Sequence, residues 1–170
     1  MWTKGMLKNA PPIVTFIDSS ITGQYAGMSL LYRVEVSMPV DLMKVCRWQA
    51  NRGNDVVEHP TWDAIETAIR TLNNNDQDDL YLYLDAGDEE TFLGVCGGDG
   101  RYFVSGSDDA GYPTLLDESK DESEMEDIVI GGQDSEVPAN QIVDLSAALA
   151  AARDFYDAGG FTGKAKWHYI

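Results

Sequence analysis

Carboxylates are the side chains in this sequence best able to do chemistry. The chain holds 29 Asp and Glu against 12 Lys and Arg, a formal net charge of -17. Residues 1–60 carry a net charge of +1, so the remaining 110 residues carry -18. The acidic residues of interest are Asp85, Asp88, Glu89, Glu90, Asp108, Asp109 and Asp117. If they gather at one end of a sheet, paired carboxylates could serve a glycosidase or hold a metal. The alternatives are a solvated surface and a docking surface for a basic partner.

Other catalytic chemistry has little support in the sequence. The two histidines, His59 and His168, stand in no spacing that suggests a catalytic pair or a zinc site. The run that starts at Asp117 resembles a calcium loop, but Glu122 occupies the position that requires glycine. Cys46 and Cys96 lie in no metal or redox spacing and are predicted to be free thiols. We therefore predict no enzyme activity, no cofactor and no metal.

The charge distribution indicates the kind of partner. An acidic field repels nucleic acid and anionic lipid and attracts basic surfaces, with rates that fall as salt is added. The first residues of the sequence do not form a convincing signal peptide. No run of eighteen apolar residues, the length that a membrane-spanning helix requires, occurs in the sequence. We predict a cytoplasmic protein that binds a basic protein, with no direct contact to nucleic acid or membrane. A scaffold module and a carboxylate-dependent metal enzyme stay open as alternatives.

Two helices and several strands are expected to position these residues. A helix begins after Thr61 and ends before Asn73, and a second runs from Leu145 to Asp157, with Asp144 as its N-cap and Gly159 at its end. Strands are predicted at 79–84, 91–96, 101–105, 111–116 and 127–130. The pair Asp99-Gly100 predicts a tight hairpin turn, and the polar run 117–124 predicts a loop.

The order along the chain, a helix, then several strands, then a helix, predicts a single α+β domain. We expect a mostly antiparallel sheet of about five or six strands with two main helices packed on it. Residues 46–170 are expected to form that domain. Residues 1–45 are expected to be an N-terminal extension or to add strands, with candidate strands at 13–17 and 30–36.

A set of scattered motifs resembles immunity protein family 1 of bacterial polymorphic toxin systems. The resemblance covers roughly residues 58–167. The residues that carry it are Thr61-Trp62-Asp63, Leu80 to Leu84, Leu93-Gly94-Val95, Gly97-Gly98, Tyr102-Phe103-Val104, Gly111, Val137-Pro138, the Ala-rich helix through Phe155, Gly159 and Trp167. The order of these motifs is more specific than any one of them.

The resemblance implies a protein that binds and inhibits a cognate secreted toxin, with a nucleic-acid deaminase or a nuclease as the expected toxin. Such an enzyme presents a basic groove to phosphates, and an acidic protein can cover that groove. We predict toxin contacts at Asp88, Glu89, Glu90, Asp108, Asp109, Tyr112, Asp117, Glu118, Asp121, Glu122 and Glu124. The oligomeric state is left open.

Overall fold

A computed structural model of the chain describes residues 40–46 and 53–169, which form ten strands, two α-helices and one 3₁₀ turn. The helices are α1 (Trp62–Arg70) and α2 (Leu145–Ala158), and the 3₁₀ turn is Ala139–Gln141. The strands are β1 (Leu42–Cys46), β2 (Asn54–Glu58), β3 (Asp79–Asp85), β4 (Asp88–Gly98), β5 (Arg101–Ser107), β6 (Pro113–Leu115), β7 (Met125–Ile130), β8 (Gln133–Pro138), β9 (Ile142–Val143) and β10 (Trp167–Tyr169).

Eight of these strands form one antiparallel sheet. Its order is β10-β6-β5-β4-β3-β1-β2, and β9 pairs with β5 beside this path. Strands β7 and β8 form a separate hairpin. The α+β class, the antiparallel sheet and the two helices are confirmed, whereas the prediction of five or six strands was wrong.

Of the strands that were not predicted, β1 is mostly apolar and partly buried, whereas the others are short or polar. All five residues of β2 are exposed, and most of β8 consists of polar side chains, so neither shows the alternating apolar pattern that marks a strand. Strands β9 and β10 have only two and three residues. Backbone pairing with a neighbouring strand makes these segments extended, and side-chain periodicity does not report such pairing.

The two helices begin and end where the sequence predicts, because their capping residues are strong. Thr61 accepts a hydrogen bond from the backbone N–H of Ala64 at the start of α1. Asp144 does the same for Ala147 at the start of α2, at 2.8 Å. At the end of α2, Gly159 adopts the left-handed conformation at φ 68°, which ends the helix.

The core lies between the two helices and one face of the sheet. Ile65 and Ile69 of α1 and Phe155 of α2 are at most 1% exposed, as are Leu82 and Leu93 of the sheet. Alternation along each strand places these apolar side chains on one face. Burial of this apolar surface is the main stabilising contribution to the fold.

The β4–β5 hairpin confirms the predicted turn. Gly98 pairs with Arg101, so only Asp99 and Gly100 lie between the strands, with φ of 54° and 86°. Neither Gly97 nor Gly98 has room for a Cβ. A Cβ on Gly97 would lie 2.5 Å from the carbonyl oxygen of Arg101, and one on Gly98 would meet the backbone of residues 72–74. A Cβ built on Gly98 would lie 2.4 Å from the Asn73 nitrogen.

The proposed extension at residues 1–45 stays a prediction, and the candidate strands at 13–17 and 30–36 lie outside the described residues. Within the described part of that segment, β1 pairs with both β2 and β3 in the main sheet. None of the helices in residues 40–46 and 53–169 is long and apolar enough to span a bilayer.

Candidate functional site

The predicted contact residues fall into two groups at opposite ends of the main sheet. Phe92 pairs with Ser107, so the start of β4 and the end of β5 share one end of the sheet. Since β6 runs antiparallel to β5, the loop that follows Leu115 lies toward the other end. The seven residues of β5 span roughly 20 Å. We call residues 88–90 and 108–112 the sheet-end group, and residues 117–124 the acidic loop.

The sheet-end group is held by Asp108. Its Oδ1 accepts hydrogen bonds from the backbone N–H groups of Ala110 and Gly111, and its Oδ2 accepts one from the Tyr169 hydroxyl at 3.1 Å. Asp108 therefore shapes the turn between β5 and β6. Asp109 beside it is exposed, and Tyr112 is 64% exposed.

The remaining members of the sheet-end group belong to β4. The backbone of Asp88 and Glu89 forms the start of that strand, and Glu90 is exposed. Asp117 lies at the other end of the sheet, so the carboxylates named as a possible catalytic or metal site do not all meet.

Two Asp-x-Ser turns give the acidic loop its shape. Asp117 Oδ1 accepts hydrogen bonds from the Ser119 N–H at 3.0 Å and from its hydroxyl at 2.6 Å. Asp121 repeats this arrangement with Ser123, at 2.9 and 2.8 Å. These hydrogen bonds lower the pKa of both aspartates below their ordinary value. Both side chains are therefore ionised at neutral pH.

Lys120, the single cation within the acidic loop, points toward the body of the protein. Its Nζ donates to the carbonyl of Ile142 at 2.9 Å and to Glu126 at 3.2 Å. Arg101 donates to the same Glu126 carboxylate from Nε at 3.1 Å and from Nη2 at 2.8 Å. We call Lys120, Glu126 and Arg101 the clamp, because together they tie the loop to β5, β7 and β9.

The clamp leaves the loop with outward negative charge. Glu118, Glu122 and Glu124 are all exposed, and Lys166 lies 3.7 Å from Glu118 in a solvated ion pair. Such an exposed pair is weak. The loop is thus an ordered surface of carboxylates whose own lysine is engaged elsewhere.

A groove of about 670 Å³ adjoins the acidic loop and follows α2. On α2 the groove is lined by Ala147, Ala150 and Ala151, and other segments line it with Leu116 and Ala165. Alanine side chains are short, so they leave the space that a larger residue would fill. The groove is open and mainly apolar.

The rim of this groove is acidic. Four carboxylates line it, Asp117, Asp144, Asp154 and Asp157, against the two cations Arg153 and Lys164. Lys164 Nζ lies 2.5 Å from Asp154, and Arg153 Nε lies 2.7 Å from Asp157. Both cations are therefore already paired within the protein.

Sequence reasoning included Asp117 among the predicted contacts but missed the carboxylates that α2 contributes. Asp144, Asp154 and Asp157 share a helix with Ala147 and Ala150 at spacings of three, four and seven residues. That periodicity puts them along one side of the helix, and it was the signal available. What the sequence did not show is that β6 and the segment around Ala165 face this side.

Two buried carboxylates, Asp78 and Asp79, have a structural role. Asp78 Oδ2 accepts a hydrogen bond from the N–H of Gly132, and Asp79 Oδ2 accepts one from Gly131, each at 2.8 Å. They hold the turn of the β7–β8 hairpin. Burial and the neighbouring charge of Asp79 raise the pKa of Asp78.

The two thiols are buried and free, as predicted. They lie on the strands that flank Asp79, in register with it. Burial and the nearby Asp79 charge raise the pKa of Cys46 to about 11 and that of Cys96 well above its ordinary value. Thiols in this state are poor nucleophiles. Within residues 40–46 and 53–169, no three His, Cys, Asp or Glu side chains are grouped in a way that could hold a metal ion.

An ordered acidic loop beside an open apolar groove is an arrangement suited to binding another protein. The fold and the site thus define a small acidic α+β binding protein. The model of the family described as Immunity protein Imm1 matches residues 53–167. The chain belongs to this immunity protein family, which confirms the resemblance found in the sequence. No curated protein matches the chain.

Proposed function

We propose that this chain is a cytoplasmic immunity protein that inhibits a cognate secreted toxin by covering its basic substrate cleft. A nucleic-acid deaminase or a nuclease is the toxin class that fits best, because enzymes of both kinds must attract phosphates with Lys and Arg. Membership of the immunity protein family supports the inhibitor role. The charge of the chain supports the mechanism.

The geometry of the acidic loop is the observation that carries this proposal. Its turns and its clamp fix the backbone in the free protein, so little conformational entropy is lost when a partner binds. Its exposed glutamates form a local patch of one sign. Such a patch accelerates encounter with a basic surface and suppresses encounter with nucleic acid.

The sheet-end group is a second proposed contact area. Tyr112 is its exposed aromatic side chain, and aromatic residues supply much of the binding energy in protein interfaces. The two areas lie toward opposite ends of β5, whose seven residues span roughly 20 Å, and one standard-size interface can cover that length.

Rescue of growth tests the proposal directly. The product of the gene next upstream is expressed in a host cell with and without this chain. We expect growth arrest in its absence and normal growth in its presence. Growth arrest that persists while the chain is abundant and folded would refute the proposed function.

A charge variant tests the mechanism. Replacing Glu118, Glu122 and Glu124 by Gln removes three loop charges while leaving both turns and the clamp intact. We expect the association rate with the toxin to fall roughly tenfold at low ionic strength and its dependence on salt to flatten.

The matched control replaces Asp63, Asp99 and Asp134 by Asn, which gives the same net charge through exposed residues outside the loop. Its association rate should stay within about twofold of wild type. Equal slowing by the two variants would mean that only the total charge matters, and that the loop has no special part in steering.

A further inference from the structure

We propose that the groove along α2 is a docking site for a toxin segment that combines small apolar side chains with a Lys or Arg. This inference rests on the proposed function and assigns a second element of the interface, distinct from the outward face of the acidic loop. It names what the groove binds, a basic and partly apolar stretch of polypeptide.

The dimensions of the groove suit a stretch of chain. Its lining on α2 extends from Asp144 to Asp157, which at 1.5 Å per residue is about 20 Å. The volume of about 670 Å³ accommodates several side chains. Ala147 and Ala150 let an incoming backbone approach the helix closely, as small residues do wherever two elements pack tightly.

The charges of the groove determine the sign of its occupant. With Arg153 and Lys164 already paired, Asp117 and Asp144 have no Lys or Arg nitrogen within ion-pair distance among the described residues. Each uses Oδ1 to accept hydrogen bonds from its own turn or helix end. Their Oδ2 atoms are left to accept from a cation that enters the groove.

Arg153 also contacts a residue that is not part of the groove lining. Its guanidinium lies 5.0 Å from the ring centroid of Trp62, a cation–π contact that adds to its ion pair with Asp157. It therefore does not swing across to neutralise Asp117 or Asp144 without losing two favourable contacts.

A second copy of this chain is a poor occupant, because two molecules of net charge -17 repel one another. A toxin that binds nucleic acid supplies the required Lys and Arg. Groove and acidic loop share Asp117, so a single toxin surface can contact both.

The test measures binding of purified, full-length variants to the product of the gene next upstream, made catalytically inactive. Ala150→Trp fills the groove from an exposed position on α2. Its control is Thr67→Trp, at an exposed position on α1 outside the groove. Thermal unfolding followed by circular dichroism verifies that each variant is folded.

A second pair of variants tests charge without altering local structure. Asp117→Asn combined with Asp144→Asn removes both unpaired charges, and Asn still accepts the turn and capping hydrogen bonds. The control is Asp99→Asn combined with Asp134→Asn. We expect Ala150→Trp and the groove charge variant each to weaken binding at least roughly tenfold, and both controls to bind within about twofold of wild type.

The outcomes separate this inference from the proposed function. If wild type does not bind the upstream gene product, the proposed function fails, and the groove assignment fails with it. If wild type binds and the groove variants bind equally well, only the groove assignment is refuted. If light scattering shows wild type to be a dimer that Ala150→Trp dissociates, the occupant is a second copy, and the assignment to the toxin is wrong.

Discussion

Removing the charge of Glu126 should loosen the acidic loop and lower the stability of the protein. Glu126→Gln keeps the size of the side chain but leaves Arg101 and Lys120 facing a neutral amide. Lys120 connects the middle of the loop to Glu126 and to the carbonyl of Ile142, so the loop should lose order first.

The expected magnitude follows from the contacts. Three hydrogen bonds reach the Glu126 carboxylate, at 2.8, 3.1 and 3.2 Å. A hydrogen bond to a charged group contributes about 1.5–3 kcal/mol, against about 1 kcal/mol for a neutral one. The side chains of Arg101 and Lys120 are 45% and 34% exposed, so solvent screening reduces the gain. We expect a loss of about 1–2 kcal/mol in the free energy of unfolding.

Urea unfolding followed by tryptophan fluorescence measures this loss without adding salt. The matched control is Glu136→Gln, an exposed glutamate on β8, which should change the free energy of unfolding by less than about 0.5 kcal/mol. Faster hydrogen exchange in residues 117–124 of Glu126→Gln would show that the loop is the part that loosens.

The difference between wild type and Glu126→Gln should depend on pH. Burial acts to raise the pKa of Glu126, but the hydrogen bonds from Arg101 and Lys120 outweigh it, so the pKa lies below its ordinary value of 4.5. The stabilisation is therefore fully present above pH 4.5 and is lost as pH falls through the lowered pKa. An equal midpoint for the two proteins at pH 7 would refute the role given to the clamp.

Two further predictions concern the backbone and a buried acid. Gly98→Ala should lower the free energy of unfolding by about 2–3 kcal/mol, because its Cβ would meet the Asn73 backbone, whereas Gly163→Ala has open space and should be nearly neutral; equal urea midpoints would contradict this. Asp78→Asn should be more stable than wild type at pH 7, since burial and Asp79 raise the pKa of Asp78. A raised carboxyl pKa means that wild type loses stability as pH rises from 3.8 through that pKa. The advantage of the variant should therefore shrink as pH is lowered toward 3.8. A variant less stable than wild type at pH 7 would count against this reasoning.

Local chemistry made part of the fold predictable. Thr61, Asp144 and Gly159 are residue types that satisfy helix ends, and the structure uses each of them for that purpose. Asp99-Gly100 tolerates positive φ and forms the predicted turn. These features depend on neighbours within a few residues, and the sequence states those neighbours directly.

Strand pairing over long separations was not predictable in the same way. All residues of β2 are exposed, so neither of its faces is buried, yet it forms one edge of the sheet through its backbone hydrogen bonds to β1. β9 pairs with β5 through only two residues. Such segments become strands because a partner is present, and the partner is distant in the sequence.

The same limit applied to the site. The acidic loop was predicted as a loop, but its inward-pointing Lys120 depends on Glu126 and on the carbonyl of Ile142, which later elements supply. The separation of the sheet-end group from the loop depends on strand order. The groove depends on which side of α2 faces β6, and helical periodicity alone does not determine this.

Mutual exclusion of this protein and nucleic acid on the toxin is the most direct test of the central claim. A fluorescently labelled single-stranded oligonucleotide is bound to the inactive upstream gene product, and this chain is added while anisotropy is followed. We predict that the oligonucleotide is displaced in proportion to the complex formed, because the acidic surface occupies the cleft that binds phosphates. A stable ternary complex, with the oligonucleotide bound as tightly as before, would contradict the account.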